Sequence, residues 1–506
     1  MSDNKNNLST TSVALESAGP KSLHANRIGP TIIPDRSRVL LRPFYPGRKD
    51  IMERIVAHVL TLSESEAKAL LHQVLSEFEN RHEHVQLFLQ RQFNRVQKLL
   101  ALDKKISAVR QALIGSYFTH EYSPEAAALF NPSIVLHPDQ SKLPKGSIRF
   151  ILSLRATGEG HISSITFRTG IINSNNRITM LPVVPFVTTP AIVPNTVYEK
   201  ALFTRKLKEA GLHDQFCDRV VNRLAETFLL DDLRAILESE REACSTLDAI
   251  ADRAAQGILM LAESNFEVCF HTSSHVSQRI LFPAVPSQSN GIEDARFVKF
   301  TDDDTEEVIY YATYTAYDGK IILPQLIETK DFLHFKFITL NGPAARNKGM
   351  ALFPRKINGK YAMLSRQDDE NILLMFSDNI HFWQSPEVIL KPAEPWELMK
   401  IGTCGSPIET KAGWLVLSHG VGPMRKYCLS AFLLDLHDPR IVIGRLKEPL
   451  LSPNESEREG YVPNVVYTCG SIIHGKELII PYAISDYSST FASVSVEDLL
   501  AAICTS

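Results

Sequence analysis

A strand-and-turn unit recurs along this chain, and the recurrence restricts its fold more than any other feature. A turn glycine followed at once by an apolar or aromatic run occurs at Gly146 (KGSIRFILSLRA), Gly359 (NGKYAMLSR), Gly413 (AGWLVLSHG) and Gly475 (HGKELIIPYAISD). A fifth run, Glu307 to Thr315 (EVIYYATYT), follows an acidic turn instead of glycine. From residue 307 the later starts fall at 359, 413 and 475, steps of 52, 54 and 62 residues. A second echo sets Lys330-Asp331-Phe332-Leu333-His334-Phe335 against Ser377-Asp378-Asn379-Ile380-His381-Phe382, an offset of 47 (378 − 331). Periods of roughly 40 to 50 residues holding several short strands mark propeller blades. The expected fold is therefore mainly β, a five-bladed β-propeller. A β-sandwich with chance similarity is the competing architecture, because short turn-strand patterns are common. In a propeller, loops from several blades meet at one mouth, so residues far apart in sequence can share a pocket.

Two stretches interrupt the strands. From Arg48 to about Ile114, apolar residues recur at helical spacing (Ile55, Val56, Val59, Leu60, then Leu70, Leu71, Val74, Leu75, Phe78), with Ser63 and Glu66 forming a capping box. From about Val197 to Ala262 a second helical block contains the proline-free run from Thr204 to Glu242. The expected organisation is a mobile tail over 1–36, a helical N-terminal region over 37–120, a propeller formed by 121–196 and 265–506, and a helical insertion over 197–264. Amphipathic helices of this kind are expected to serve packing or homo-oligomer formation.

Composition excludes several function classes. Lys and Arg number 54 against 57 Asp and Glu, a net charge of −3, so the chain lacks the basic excess of a protein built to neutralise nucleic acid. Hydrophobic residues at 44% and charged residues at 22% suit a globular chain with a large core. Apolar stretches such as Ile178 to Val193 are broken by Thr and Pro, and no run approaches the ~20 residues of a spanning helix, so no membrane partner is expected. The polar N-terminal segment lacks the apolar core of a secretory signal. Seven scattered cysteines (Cys217, Cys244, Cys269, Cys404, Cys428, Cys469, Cys504) show no metal-type spacing and read as thiols in a reducing, cytoplasmic setting.

The phosphate-binding, dinucleotide, zincin and nucleophile-elbow motifs are all missing. What stands out is Gly291-Ile292-Glu293-Asp294-Ala295-Arg296-Phe297, two carboxylates and an arginine crowded between a turn glycine and a strand. Taken locally, it also fits a hairpin turn with a surface ion pair.

GIEDARF resembles the GxEDPR motif of glycoside hydrolase family 130, β-mannoside phosphorylases and β-mannosidases built on a five-bladed propeller. Other segments match in the same order: Phe130-Asn131-Pro132-Ser133, Leu154-Arg155, Tyr314 through Gly319 (YTAYDG), Asn347-Lys348 with Ala351 through Tyr361, and Val462 through Gly470. The likeness covers roughly 125–195 and 265–502, and the helical blocks have no counterpart in it. It implies that Asp294 is the general acid, protonating the glycosidic oxygen by way of a sugar hydroxyl, with Ala295 in place of the family's proline. It implies sugar or phosphate contacts for Asn131, Arg155, Arg296 and Lys348, and a grip on the mannose hydroxyls by Asp318 and Asp486. His419, in Ser418-His419-Gly420, falls in a family-like HG motif and is a candidate substrate contact, with a buried structural histidine as the alternative reading; Gly158 through Ser164 lies at a strand turn and is a candidate lining of the site. Trp383 and Trp414 sit in blade-like strands and are expected in the core.

The nucleophile decides the reaction. Where family phosphorylases have the cationic motifs LHRP and PPIKT, this chain has Leu364-Ser365-Arg366, keeping the arginine, and Ser406-Pro407-Ile408-Glu409-Thr410, with glutamate for lysine. A carboxylate there repels phosphate and suits a base for water. The expectation is thus inverting hydrolysis of β-mannosides, β-1,2-linked, with Glu409 as the base. The alternatives are phosphorolysis, with inorganic phosphate as co-substrate and α-mannose 1-phosphate as product, and a propeller that binds glycan or protein without chemistry. The resemblance implies an oligosaccharide partner and no metal or organic cofactor.

Overall fold

The computed structural model describes residues 23–102, 105–193, 197–243, 249–303 and 305–505. Five antiparallel strand groups follow one another along the chain. The first holds Ala128–Leu136, Ile148–Thr157, Ser163–Ile172 and Ile178–Met180. Gly291–Thr301, Val308–Tyr317, Ile322–Thr329 and His334–Thr339 form the second. The third holds Ala351–Leu352, Tyr361–Ser365, Ile372–Ser377 and Pro386–Leu390. Lys400–Thr403, Gly413–Val421, Tyr427–Leu434 and Val442–Arg445 make the fourth. The fifth holds Val466–Tyr467, Glu477–Ile484 and Ser488–Ser495. The glycines that lead the sequence repeat stand just before, or for Gly413 at the start of, the second strand of a group.

The outer strand of the fifth group comes from the opposite end of the chain. Asn26–Ile32 pairs antiparallel with Ser488–Ser495, placing Asn26 opposite Ser493. This corrects the expectation of a tail over 1–36 as far as it is described; residues 1–22 lie outside the described residues. Ile28 and Ile32 pack with Phe150, Ile479 and Phe491, so apolar burial holds a segment that reads as polar and punctuated by Gly29 and Pro30.

The apolar cores lie between consecutive groups. Ile151 and Phe167 meet Phe297 and Tyr310 between the first and second. Phe300 and Tyr311 meet Met363 and Met375 between the second and third, and Leu364 and Leu374 meet Trp414 and Phe432 between the third and fourth. Leu417 and Leu433 then meet Ile480 and Tyr482 between the fourth and fifth, and the cluster around Phe150, Leu152, Ile479 and Phe491 joins the fifth back to the first. Each strand group is therefore covered on both faces, which its continuous rather than alternating apolar texture requires. Trp383 and Trp414 are fully buried, as expected, each donating its indole N–H to a backbone carbonyl.

Helices α1 (Lys49–Thr61), α2 (Glu64–Phe78), α3 (Val85–Leu100) and α4 (Ala108–Tyr117) pack around Val56, Val59, Phe93 and Leu113. The Ser63–Glu66 capping box forms at the start of α2. Between the first and second strand groups, α5 (Lys200–Glu209), α6 (Gln215–Arg223), α7 (Leu230–Ala243) and α8 (Ala249–Glu263) share a core containing Phe203, Leu207, Val220 and Leu233. A last helix, α9 (Val496–Thr505), not foreseen from the sequence, buries Leu499 and Ile503 against the fourth and fifth groups.

The N-terminal region is tied to the strands by a buried ion triad. Arg38 and Arg168 both bond the carboxylate of Glu125, Arg168 at 2.7 Å, and all three are almost wholly buried.

Candidate active site

In every strand group a hairpin joins the second and third strands, at residues 158–162, 318–321, 366–371, 422–426 and 485–487. Asp318, Arg366 and Asp486 lie on these hairpins.

Asp294 is placed by a bulge. The pairing of Gly291–Thr301 with its neighbour slips between Glu293 and Arg296, and Asp294 takes a left-handed backbone, φ 54°. The facing strand, Ala128–Leu136, slips between Phe130 and Ser133, with Asn131 at φ 49°. Two bulges thus turn two polar side chains toward each other, and Asn131 Nδ2 donates to Asp294 Oδ1 at 2.6 Å. His161, Asn347, Arg425 and Asp486 also adopt positive φ. Left-handed residues other than glycine cost about 1–3 kcal/mol each and concentrate where function holds them.

Cations surround the acid. Arg155 Nη1 lies 3.3 Å from Asp294 Oδ1 and its Nη2 bonds Glu293 Oε1 at 2.8 Å, while Nε is held by Ser163 Oγ at 2.9 Å. Lys348 Nζ reaches the other Glu293 oxygen at 3.4 Å. Burial pushes the Asp294 carboxyl up, but Arg155, Lys348, the Asn131 bond and Arg296 outweigh it and hold the group below the usual carboxylate range. These partners keep Asp294 ionised near neutral pH. Asp486, in the 485–487 hairpin, goes the other way: burial and the Asp294 charge push its carboxyl up to about 7, against the pull of Arg155 and Arg425.

A second layer lies deeper. Arg296 donates to Gly349 O at 2.7 Å, to Thr403 Oγ1 at 2.9 Å and to the Tyr467 hydroxyl at 2.7 Å, so this arginine ties three strand groups together. Arg366 Nη1 meets His419 Nε2 at 3.2 Å and its Nη2 lies 3.3 Å from Asp369; its Nε is buried without a partner among the described residues. Asn347 Nδ2 bonds Arg366 O at 3.0 Å, joining this layer to Lys348. Burial, then Arg366 and Arg296, hold His419 well below its ordinary value, so its imidazole is neutral and stacks with Tyr427.

Two candidates are not brought to Asp294. Glu409 lies on Ile408–Thr410, paired to Trp414 at the start of a strand whose other half carries His419. Five residues of strand separate those levels, about 16 Å at ~3.3 Å per residue. There Glu409 is exposed and bound in both oxygens by Arg355, at 2.8 and 2.9 Å. This corrects its expected place opposite Asp294. Asp318 uses Oδ1 to accept from Lys320 N and Ile321 N, capping its own hairpin at the rim. Conversely, Glu293, Asn347 and Tyr467 join the site without having been singled out as site residues. Glu293 was visible beside Asp294, and Tyr467 lies in the family-like segment Val462 through Gly470.

Among the described residues no group of three or more His, Cys, Asp or Glu is placed to hold a metal ion, and no helix is long and apolar enough to cross a membrane.

Comparison with known proteins converges on one family. The sequence profile of glycoside hydrolase family 130, described as beta-1,4-mannooligosaccharide phosphorylase, matches residues 256–504. A 1,2-beta-oligomannan phosphorylase of Thermoanaerobacter is 38% identical over 217 residues, 41% of this chain and 70% of the relative. A beta-1,2-mannobiose phosphorylase of Listeria innocua is 33% identical over 233 residues, 44% of this chain and 62% of the relative. The solved structure of a beta-1,2-mannobiose phosphorylase from Listeria innocua with beta-1,2-mannobiose superposes with a TM-score of 0.44 at 20% identity, covering 75% of this chain and 93% of the other. The match to the Thermoanaerobacter enzyme, over more than two thirds of its length, decides the assignment: the chain is an enzyme of glycoside hydrolase family 130.

Proposed function

We propose that the protein is a phosphorylase of β-linked manno-oligosaccharides, the β-1,2 linkage foremost, and that its five strand groups are the blades of a propeller whose mouth holds the substrate. The cyclic order of the five apolar clusters supports the propeller. The observation that carries the reaction is the fate of Glu409. Hydrolysis needs a base for water on the side opposite the acid, and the glutamate read as that base is bound to Arg355 at the other end of its strand group. Arg155 pairs with Asp294 and, with Lys348, holds the adjacent Glu293, a cation pair suited to a phosphate. The names of the relatives at 38% and 33% identity favour the β-1,2 linkage.

In this reading a phosphate oxygen attacks the anomeric carbon as the glycosidic C–O bond breaks, and Asp294 supplies the proton that the departing sugar oxygen takes. The anion entering beside Arg155 and Lys348 offsets the charges that keep Asp294 ionised, so substrate binding itself moves the acid toward its protonated form. HPO₄²⁻ gives up one proton to the site and the leaving sugar gains one, so the sum balances without outside acid. Incubation with β-1,2-mannobiose tests this: mannose 1-phosphate should form in phosphate buffer and vanish without phosphate. Two mannoses per disaccharide at an unchanged rate in phosphate-free buffer overturns it in favour of hydrolysis.

A further inference from the structure

The insertion α5–α8 docks on the segment that delivers Asn347 and Lys348 to the site. Glu209, the last residue of α5, accepts from the backbone N–H of Gly342 with both carboxylate oxygens, at 2.9 and 2.8 Å. One turn earlier, the buried Lys206 donates its ammonium to Leu340 O at 2.8 Å and lies 3.5 Å from Glu209. Both contacts go to backbone, at the root of the stretch 340–350. That stretch leaves the second strand group at Leu340, turns at Gly342 and carries Asn347, bound to Arg366 O, and Lys348, bound to Glu293. The turn has little freedom elsewhere: Gly342 has φ 100°, and a β-carbon there would stand 1.9 Å from Trp383 O. Leu340 and Lys348 also line one small cavity together with Asp294.

We infer that Glu209, helped by Lys206, is a positioning residue: the insertion clamps the root of the 340–350 stretch so that Lys348 and Asn347 are held at the acid and the phosphate. The inference rests on the phosphorylase reading for the role of Lys348, but not for the clamp itself. The physical reason is that a buried N–H shared by a carboxylate is a strong, charge-assisted anchor, and the few residues between 342 and 347 leave little slack for its loss to be absorbed. The insertion would then be part of the catalytic apparatus and not only an attached packing unit.

The test combines hydrogen exchange with steady-state kinetics on the full chain. In Glu209→Ala, exchange at the amides of 342–348 should accelerate while the strand groups keep wild-type protection. KM for phosphate in β-1,2-mannobiose phosphorolysis should rise about tenfold with a smaller change in kcat, the size of one lost charge-assisted bond. Glu209→Gln, which keeps one neutral acceptor, should recover most of both. Unchanged exchange at 342–348, or an unchanged phosphate KM in an active Glu209→Ala protein, overturns the inference. A wild-type protein that produces no mannose 1-phosphate refutes the phosphorylase reading and leaves the clamp to be judged by exchange alone. Should Glu209→Ala not fold, Lys206→Met, which removes the Leu340 bond, carries the same two readouts.

Discussion

Replacing Asp294 by Asn isolates the proton from everything else this residue does. The substitution is nearly isosteric, asparagine tolerates the left-handed backbone at φ 54°, and Asn131 Nδ2, 2.6 Å away, can still bond the amide oxygen. Arg155 keeps its 2.8 Å bond to Glu293, so the cation set stays in place. A positioned acid contributes typically 10²–10⁴ in rate, about 3–5.5 kcal/mol of barrier at ~1.36 per factor of ten. The assay compares phosphorolysis of β-1,2-mannobiose, whose leaving sugar needs a proton, with that of dinitrophenyl β-mannoside, whose leaving group does not. Asp294→Asn should lose about 10²–10⁴ in kcat on the disaccharide and less than about tenfold on the aryl mannoside. Its phosphate KM should fall or hold, because Arg155 and Lys348 lose a competing negative charge. Equal losses on both substrates, or near-wild-type turnover of mannobiose, refute the acid assignment.

Further outcomes follow from the same geometry. Asp486 has its folded value raised to about 7 from 3.8, so it stabilises the fold fully below the lower value and that stability is lost as pH climbs to about 7; the bound is about 4 kcal/mol at ~1.36 per unit. Asp486→Asn should flatten unfolding free energy over this window and remove a fall in phosphate affinity above neutrality, and an unchanged profile by denaturant titration at several pH values tells against it. Asp294, held low, has the opposite sign: its stability is present above the ordinary carboxylate value and lost in acid. Glu409→Gln should leave kcat within about twofold and cost no more than ~1 kcal/mol, as expected of an exposed pair with Arg355; a hundredfold loss of activity restores Glu409 to the site. Glu125→Gln strands Arg38 and Arg168 without their counter-charge, costing about 3–5 kcal/mol by denaturant titration, and a cost below ~1 kcal/mol shows the triad to be dispensable.

Much of the scaffold was legible because its signals are local. Turn glycines followed by apolar runs, the Ser63–Glu66 cap and the acidic pair in GIEDARF each act within a few residues, and each appears where its chemistry requires. Burial of Trp383 and Trp414 follows equally from their apolar neighbours. Asn26–Ile32 was missed because its partner strand lies at the other end of the chain and its apolar contacts are made with residues no local pattern connects to it. Glu409 was misplaced for a related reason. The motif resemblance puts it at a cation's position, but whether its side chain meets Asp294 depends on its level along a strand and on Arg355, which arrives from the third strand group.

By itself the amino-acid order determined that strands would recur, that two helical blocks would interrupt them, and that an acidic pair would follow a turn glycine, since turns, periodicity and capping are short-range effects. Only the tertiary structure decided which distant residues meet Asp294, which carboxylates are neutralised by which cations, and that an inserted helix bonds the backbone ahead of Lys348. Those outcomes come from packing five apolar faces in succession, and no window of sequence contains more than a part of that constraint.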